Sequence, residues 1–256
     1  MSTKVKEPAA TGGQRFSTFL REMVLVVVGA IIVSSLLRAF VGQMFIIPSG
    51  SMENTLLIGD RVVVQKITSF ERGDVVVFAD PGDWLGGQAL AARGPVGQVF
   101  EFIGVLPDTS TEHLIKRVIG MPGDTVVCCD DKGRITVNGQ PLEEESYLYT
   151  DPSGTTVSPS EIEFKVVVPQ RRIFVMGDHR DASADSRCHL SDISTTQRKG
   201  QVAFVPIADV VGPAFAVAAP FSRAKMLHSP PTFSTIPAPT APAPDEAVIK
   251  PEGVSC

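Results

Sequence analysis

Between Glu22 and Glu53 the only charged residue is Arg38. Met23 to Leu37 reads MVLVVVGAIIVSSLL, and the apolar text resumes after Arg38 as AFVGQMFII. A helix rises about 1.5 Å per residue and the bilayer core is about 30 Å thick, so roughly 20 such residues span it. The pattern predicts a transmembrane helix over 21–42, with Arg38 snorkelling to an interface. Lys4, Lys6, Arg15 and Arg21 precede it. A cleaved secretory signal peptide shares that layout, and Val33-Ser34-Ser35 offers small residues at a usable offset. Against cleavage stands the apolar text running on to Ile47, directly into the chemical motif described below. The basic residues then place 1–20 in the cytoplasm as a flexible leader, and the rest of the chain outside.

Beyond the span the period shortens. Arg61–Lys66, Asp74–Phe78, Ile115–Ile119, Thr125–Cys129, Arg134–Val137, Ile173–Met176 and Val210–Val217 are short β-branched runs punctuated by Gly, Asp and Pro. They read as strands. Asn138-Gly139 and Asp131-Lys132-Gly133 are hairpin turns. No repeat of 20–50 residues recurs. The expected class is mainly β: an N-terminal transmembrane helix followed by a β-rich domain over 43–223.

Two stretches fall outside that pattern. Pro81–Thr111 scatters Trp84, Leu85, Phe100, Phe102 and Ile103 through Gly and Ala. It reads as a long insertion, either packed on the domain or dipping an apolar lip with Trp84 into the membrane. From Ser229 onward lie seven of the chain's 20 prolines. That composition predicts a disordered tail over 224–256, since it offers little apolar surface to offset ordering entropy.

Composition changes this picture only at the margins. A chain of 256 residues has room for one sizeable domain. Its net charge of −5, without a long basic block, argues against nucleic acid. Cys128, Cys129, Cys188 and Cys256 are free to form disulfides outside the cytoplasm, a bridge from Cys128 or Cys129 to Cys188 being one option. A zinc site with His189 lacks any CxxC or HxxxH spacing, and no metal or other cofactor is expected.

Chemistry concentrates in four segments: Pro48-Ser49-Gly50-Ser51-Met52 running on to Asp60, Arg72 to Phe78, Ile115-Lys116-Arg117 to Asp124, and Gly177-Asp178-His179-Arg180 to Arg187. Singly each has a bland explanation. Ser-Gly-Ser is more often a turn than a nucleophile, and a charged loop is more often solvated surface. Together, in this order and behind a membrane span, they resemble the type I signal peptidases, the S26 serine peptidases, and most of all the single-span actinobacterial branch. The resemblance covers Ile47 to about Arg223.

What it implies is a β-rich domain on the outer face of the cytoplasmic membrane, in contact with its lipids and cleaving signal-peptide-bearing precursors after Ala-X-Ala. Ser51 matches the nucleophile and Lys116 the general base of a Ser-Lys dyad. A lysine serves as base only when neutral, so its pKa must fall by several units, and the apolar flanks of Lys116 suit that. The Ser49 hydroxyl and the Ser51 N–H match the oxyanion donors. Ser183 matches the serine that orients the lysine amine. Asp185, Arg187 and Arg117 match a bracing cluster, with Asp178 and Arg180 in the same loop. Ile47, Met52, Leu56 and Ile115 match the small-residue substrate pockets, with the substrate added as a strand.

The sequence departs from the family pattern at three positions. Asn54 stands where proline is usual, which leaves its effect on the turn open, loosening included, and His179 and Ala182 replace the commoner asparagines. His179 reads as structural rather than as a triad base. The rivals are a self-cleaving repressor-type peptidase, disfavoured by the membrane span, and an inactive tethered β-domain or a plain secreted binding protein.

Overall fold

The computed structural model describes residues 12–40, 42–82, 84–86, 94, 113–194, 197–251, 253–254 and 256. Gly12–Phe40 forms one helix, α1. Within it Phe16–Ser34 is long and apolar enough to cross a bilayer, and none of that stretch is buried inside the protein. The helix begins nine residues before the expected span, so 12–20 is helical rather than flexible leader, and it stops two residues short of the expected end, because Gly42–Ile46 is already a strand, β1. Hydropathy alone could not separate the two, since an apolar helix and an apolar strand read alike until Gly42 interrupts them.

The remaining strands are β2 (Arg61–Gln65), β3 (Val75–Ala79), β4 (His113–Gly120), β5 (Thr125–Cys128), β6 (Thr136–Val137), β7 (Gln140–Pro141) and β8 (Phe164–Val167). They continue with β9 (Arg172–Met176), β10 (Val205–Pro206), β11 (Val210–Ala219), β12 (Lys225–Met226) and β13 (Val248–Lys250). Among the described residues they form two antiparallel sheets. One runs β1-β2-β11-β3-β4-β9-β10 with β12 beside β11, and the other runs β13-β8-β5-β6-β7. The mainly β expectation holds. Asn138 and Gly139 both take positive φ, 52° and 81°, and turn β6 into β7, as a two-residue hairpin demands.

Register places the chemistry. Strand β4 pairs with β3 from His113 to Arg117, and with β9 from Arg117 to Gly120. Lys116 therefore sits opposite Val76, one residue before β4 changes partners. Phe45, Ile47, Met52, Leu56, Val62, Val64, Val75, Val77 and Ile115 pack into one apolar cluster beneath this region. Strand β1 begins two residues after α1 ends, so the turn carrying Ser51 lies about one strand length, roughly 17 Å, from the helix terminus.

The structure overturns one further expectation and decides two open readings. The tail is built into the fold: Phe233 and Ile236 are 5% and 9% exposed, and β13 pairs with β8. Composition misjudged it because proline has little freedom to lose, while the domain supplies partners. Asn138 Nδ2 donates to the Pro237 carbonyl at 2.8 Å, and the Gln170 amide donates to that of Pro244 at 2.8 Å. The disulfides are Cys128–Cys129 and Cys188–Cys256. Cys188 is thus taken by the C-terminus that the docked tail delivers, rather than by Cys128 or Cys129. Trp84 is buried, donating Nε1–H to the Val202 carbonyl at 3.1 Å and stacking on His189 at 4.4 Å. It anchors the start of the insertion in the core instead of facing a membrane. Phe100, Phe102 and Ile103 lie outside the described residues.

Candidate active site

The turn after β1 carries Ser49, Gly50 and Ser51. The Glu53 amide donates to the Gly50 carbonyl at 2.9 Å, and the Leu56 amide to that of Met52 at 2.7 Å. These bonds wind 50–56 into a tight turn with Met52 and Leu56 fully buried beneath it. The burial fixes the turn and holds Ser51 at 5% exposure. Asn54 takes φ 81°, a left-handed conformation open to Asn and closed to proline. Its Nδ2 donates to the Leu148 carbonyl at 3.0 Å. Asn54 therefore ties the turn down rather than loosening it.

From β4, Lys116 Nζ donates to Ser51 Oγ at 2.5 Å. Burial pushes the Lys116 amine down to about 8 from an ordinary 10.5, while the Asp185 and Asp178 carboxylates pull it back up and Arg187 adds to the fall. Desolvation wins because a buried ammonium loses its hydration. The Ser49 hydroxyl is exposed and lies 3.5 Å from Ser51 Oγ.

The loop after β9 closes the site from the other side. Gly177 has no room for a side chain: a Cβ there would stand 2.2 Å from Ser183 Oγ and 2.5 Å from the Ser51 carbonyl. Ser183 Oγ donates to Asp185 Oδ2 at 2.8 Å, so its observed partner is the carboxylate rather than the Lys116 amine. The Asp185 carboxylate also accepts from the Gly177 amide and from Arg187. Burial pushes that carboxyl up, but the Arg187 charge and these bonds hold it below its usual range.

Two more buried ion pairs brace the loop. Arg117 pairs with Asp178, which also accepts from Thr55 Oγ1 at 2.5 Å, joining β4, the loop and the turn that carries Ser51. Arg180 pairs with Glu144, and Tyr147 donates to the same Glu144 while its ring lies 4.4 Å below Arg117. Removing one partner of such a pair costs about 3–5 kcal/mol. His179 contacts Gly50, Glu53 and Asp181, and its ring stacks on Tyr149 at 3.7 Å. It makes no contact with Ser51 Oγ, which bears on the triad alternative.

The four proposed pocket residues come together as well. Ile47, Met52, Leu56 and Ile115 are 1%, 0%, 0% and 6% exposed, a packed apolar floor rather than an open pocket. Thr55, Glu144, Tyr149 and Gly177 escaped the sequence reading. Of these, Thr55 and Gly177 left a signal, as residues of the first and fourth segments. Among the described residues no group of three or more His, Cys, Asp or Glu side chains could hold a metal.

Residues 20–219 match the family described as signal peptidase, peptidase S26. The signal peptidase I of Mycobacterium tuberculosis is 37% identical over 230 residues, covering 82% of this chain and 76% of the relative. The chain belongs to the S26 signal peptidase family. Other signal peptidase I relatives lie further off. That of Leptolyngbya laminosa is 32% identical over 201 residues, covering 77% of this chain and 78% of its own. That of Pseudomonas fluorescens is 32% identical over 222 residues, with 78% and 72% covered. The match begins inside α1 and ends with β11, so the family segment includes all four chemical segments, and this member is a mainly β serine peptidase.

Proposed function

We propose that this S26 member removes N-terminal signal peptides from exported precursors, with Ser51 as nucleophile and Lys116 as its base. The observation that carries the reading is the buried 2.5 Å contact between Lys116 Nζ and Ser51 Oγ, made by an amine pushed down to about 8. A neutral amine has a lone pair for the hydroxyl proton, so the contact reverses and Ser51 becomes the donor.

Attack of Oγ on the scissile carbonyl moves that proton to Lys116 and the charge to the oxyanion. The Ser51 N–H and the exposed Ser49 hydroxyl stabilise it. Lys116 then protonates the leaving amine. A water giving its proton to the same nitrogen hydrolyses the ester and restores the serine. Asp185, held by Arg187, keeps Ser183 in place beside this pair.

Substrate geometry follows from the edges of β1 and β4. Among the described residues β1 pairs on one side only, and β4 gains β9 only from Arg117 onward. Phe45 on β1 and His113 on β4 bring the two strands together, ring centres 5.0 Å apart. An extended peptide adds there by main-chain hydrogen bonds. The packed floor of Ile47, Met52, Leu56 and Ile115 leaves room only for small side chains, which suits Ala at the −1 and −3 positions. The apolar α1 anchors the chain in the cytoplasmic membrane, N-terminus inside, with the site one strand length outside.

The test is cleavage of an Ala-X-Ala precursor by the detergent-solubilised full chain. Ser51→Ala and Lys116→Ala are each expected to lose at least about 10³-fold in kcat/KM, with the fold retained. Full activity in either variant would sink the dyad.

A further inference from the structure

Two peptide planes flank Ser51, and both are held by one residue of the opposing loop. The His179 amide donates to the Ser51 carbonyl at 3.0 Å. The His179 ring places Nδ1 3.3 Å from the Gly50 carbonyl oxygen and 3.1 Å from Glu53 Oε2. Both of those partners only accept, so the tautomer that fits them, assigned from these contacts, carries its hydrogen on Nδ1 and donates. On the far side Nε2 lies 3.3 Å from Asp181 Oδ1. The ring is kept in plane by Tyr149, stacked at 3.7 Å and 26°.

The Gly50 carbonyl and the Ser51 N–H belong to the same peptide unit. In a trans peptide the C=O and N–H point in opposite directions. Anchoring the Gly50 oxygen from one side therefore sets the direction of the Ser51 N–H on the other. The Glu53 amide, at 2.9 Å from the same oxygen, supplies one anchor from within the turn. His179 supplies the other from across the site.

We propose that His179 is the positioning residue of the oxyanion donor: its ring and its amide clamp the peptides on either side of Ser51 and so aim the Ser51 N–H at the tetrahedral intermediate. This rests on the reading of Ser51 as nucleophile. The His179 side chain contacts Gly50, Glu53, Asp181 and Tyr149 rather than Ser51 Oγ, and its proposed effect is on geometry alone. Only a donor two bonds from Cβ can do this work. Asn places its Nδ2 where the imidazole places Nδ1, whereas Gln places its amide one carbon further out and Phe keeps the ring without a donor.

The experiment uses the full chain in detergent and the variants His179→Asn, His179→Gln and His179→Phe, with Ser51→Ala as control. The expected result for Phe and Gln is a fall of about 10-fold in kcat at unchanged KM. That is less than the about 10²–10³-fold for deleting a donor outright. Asn is expected to stay within about 3-fold of the parent, since it restores the same donor. A peptide aldehyde ending in Ala adds its carbonyl carbon to Ser51 Oγ and carries the charge on its oxygen. Its affinity is expected to fall in parallel with kcat. Wild-type kcat in Phe and Gln beside an inactive Ser51→Ala overturns the proposal and leaves the dyad standing. Equal losses in all three variants, matched by lower thermal midpoints and unchanged aldehyde affinity, also overturn it. Activity in Ser51→Ala removes the nucleophile reading on which it rests.

Discussion

Lys116 is where one residue carries opposing demands. As the proposed base its amine is useful only when neutral, and burial favours that form by making the charged one costly. The rising limb of kcat/KM is expected near pH 8, far below the ordinary 10.5, because activity appears as Lys116 loses its proton. A pH–rate profile on a peptide substrate checks this, and a limb above pH 10 would contradict it. The same group acts on stability with a definite sign. The folded chain holds its proton less tightly than the unfolded chain, so stability falls as pH drops from 10.5 toward about 8 and the loss is complete below that. At about 1.4 kcal/mol for each tenfold change in proton affinity, the penalty at neutral pH is about 3 kcal/mol. Lys116→Met should therefore be inactive yet more stable at pH 7, with the gain fading as pH approaches 10.5. Urea melts at pH 7 and pH 10 measure it; a destabilised variant at pH 7 would show that the amine's contacts outweigh its burial.

At the scale of elements, the site is a crossing of two loops over a strand. The turn after β1 delivers Ser51, β4 delivers Lys116, and the loop after β9 seals both. Gly177 is the point of closest approach, with Ser183 Oγ and the Ser51 carbonyl inside the space a Cβ would occupy. Gly177→Ala is expected to push these loops apart, lowering kcat by about 10²-fold or more, since misplacement by about 1 Å has that effect. Global stability should fall by only about 1–3 kcal/mol, as for overpacking. Comparing kcat with the thermal midpoint distinguishes the two losses, and an active Gly177→Ala would mean the crossing is slack. The three buried pairs Arg117–Asp178, Arg180–Glu144 and Arg187–Asp185 keep it taut.

Across the whole molecule the last residues act as a strap. Ser229 donates to the Arg72 carbonyl, Phe233 packs near Tyr147, β13 extends the second sheet, and Cys256 closes on Cys188. Cys188 directly follows Arg187, which holds Asp185, so the strap ends beside the loop after β9. Cys256→Ser opens a bridge of sequence separation 68 and is expected to cost about 2–5 kcal/mol. Denaturant midpoints with and without reductant check it: reductant should lower the parent toward the variant. Equal midpoints in the parent and the variant without reductant would mean that the strap carries no load.

Some of this was legible in the chain itself. An uninterrupted apolar run with flanking charge marks a helix fit for a bilayer, because burial in lipid depends on composition and length alone. Short β-branched runs and the Asn138-Gly139 turn marked strands and a hairpin for similarly local reasons. Ser51 and Lys116 stood out through the order of four segments. Their contact, across 65 positions, is a product of register: β4 must pair with β3 before β9 for the amine to meet the turn. The burial that lowers its pKa is likewise set by what packs around it. The tail misled composition because its order comes from partners elsewhere, including Asn138, Gln170, β8 and Cys188. His179 gave no hint of clamping both peptides beside Ser51. Local propensity and hydropathy are properties of a segment, and the sequence determines them directly. Which carboxylate, carbonyl or cysteine a side chain finds depends on chain segments far away, and only the folded structure decides that.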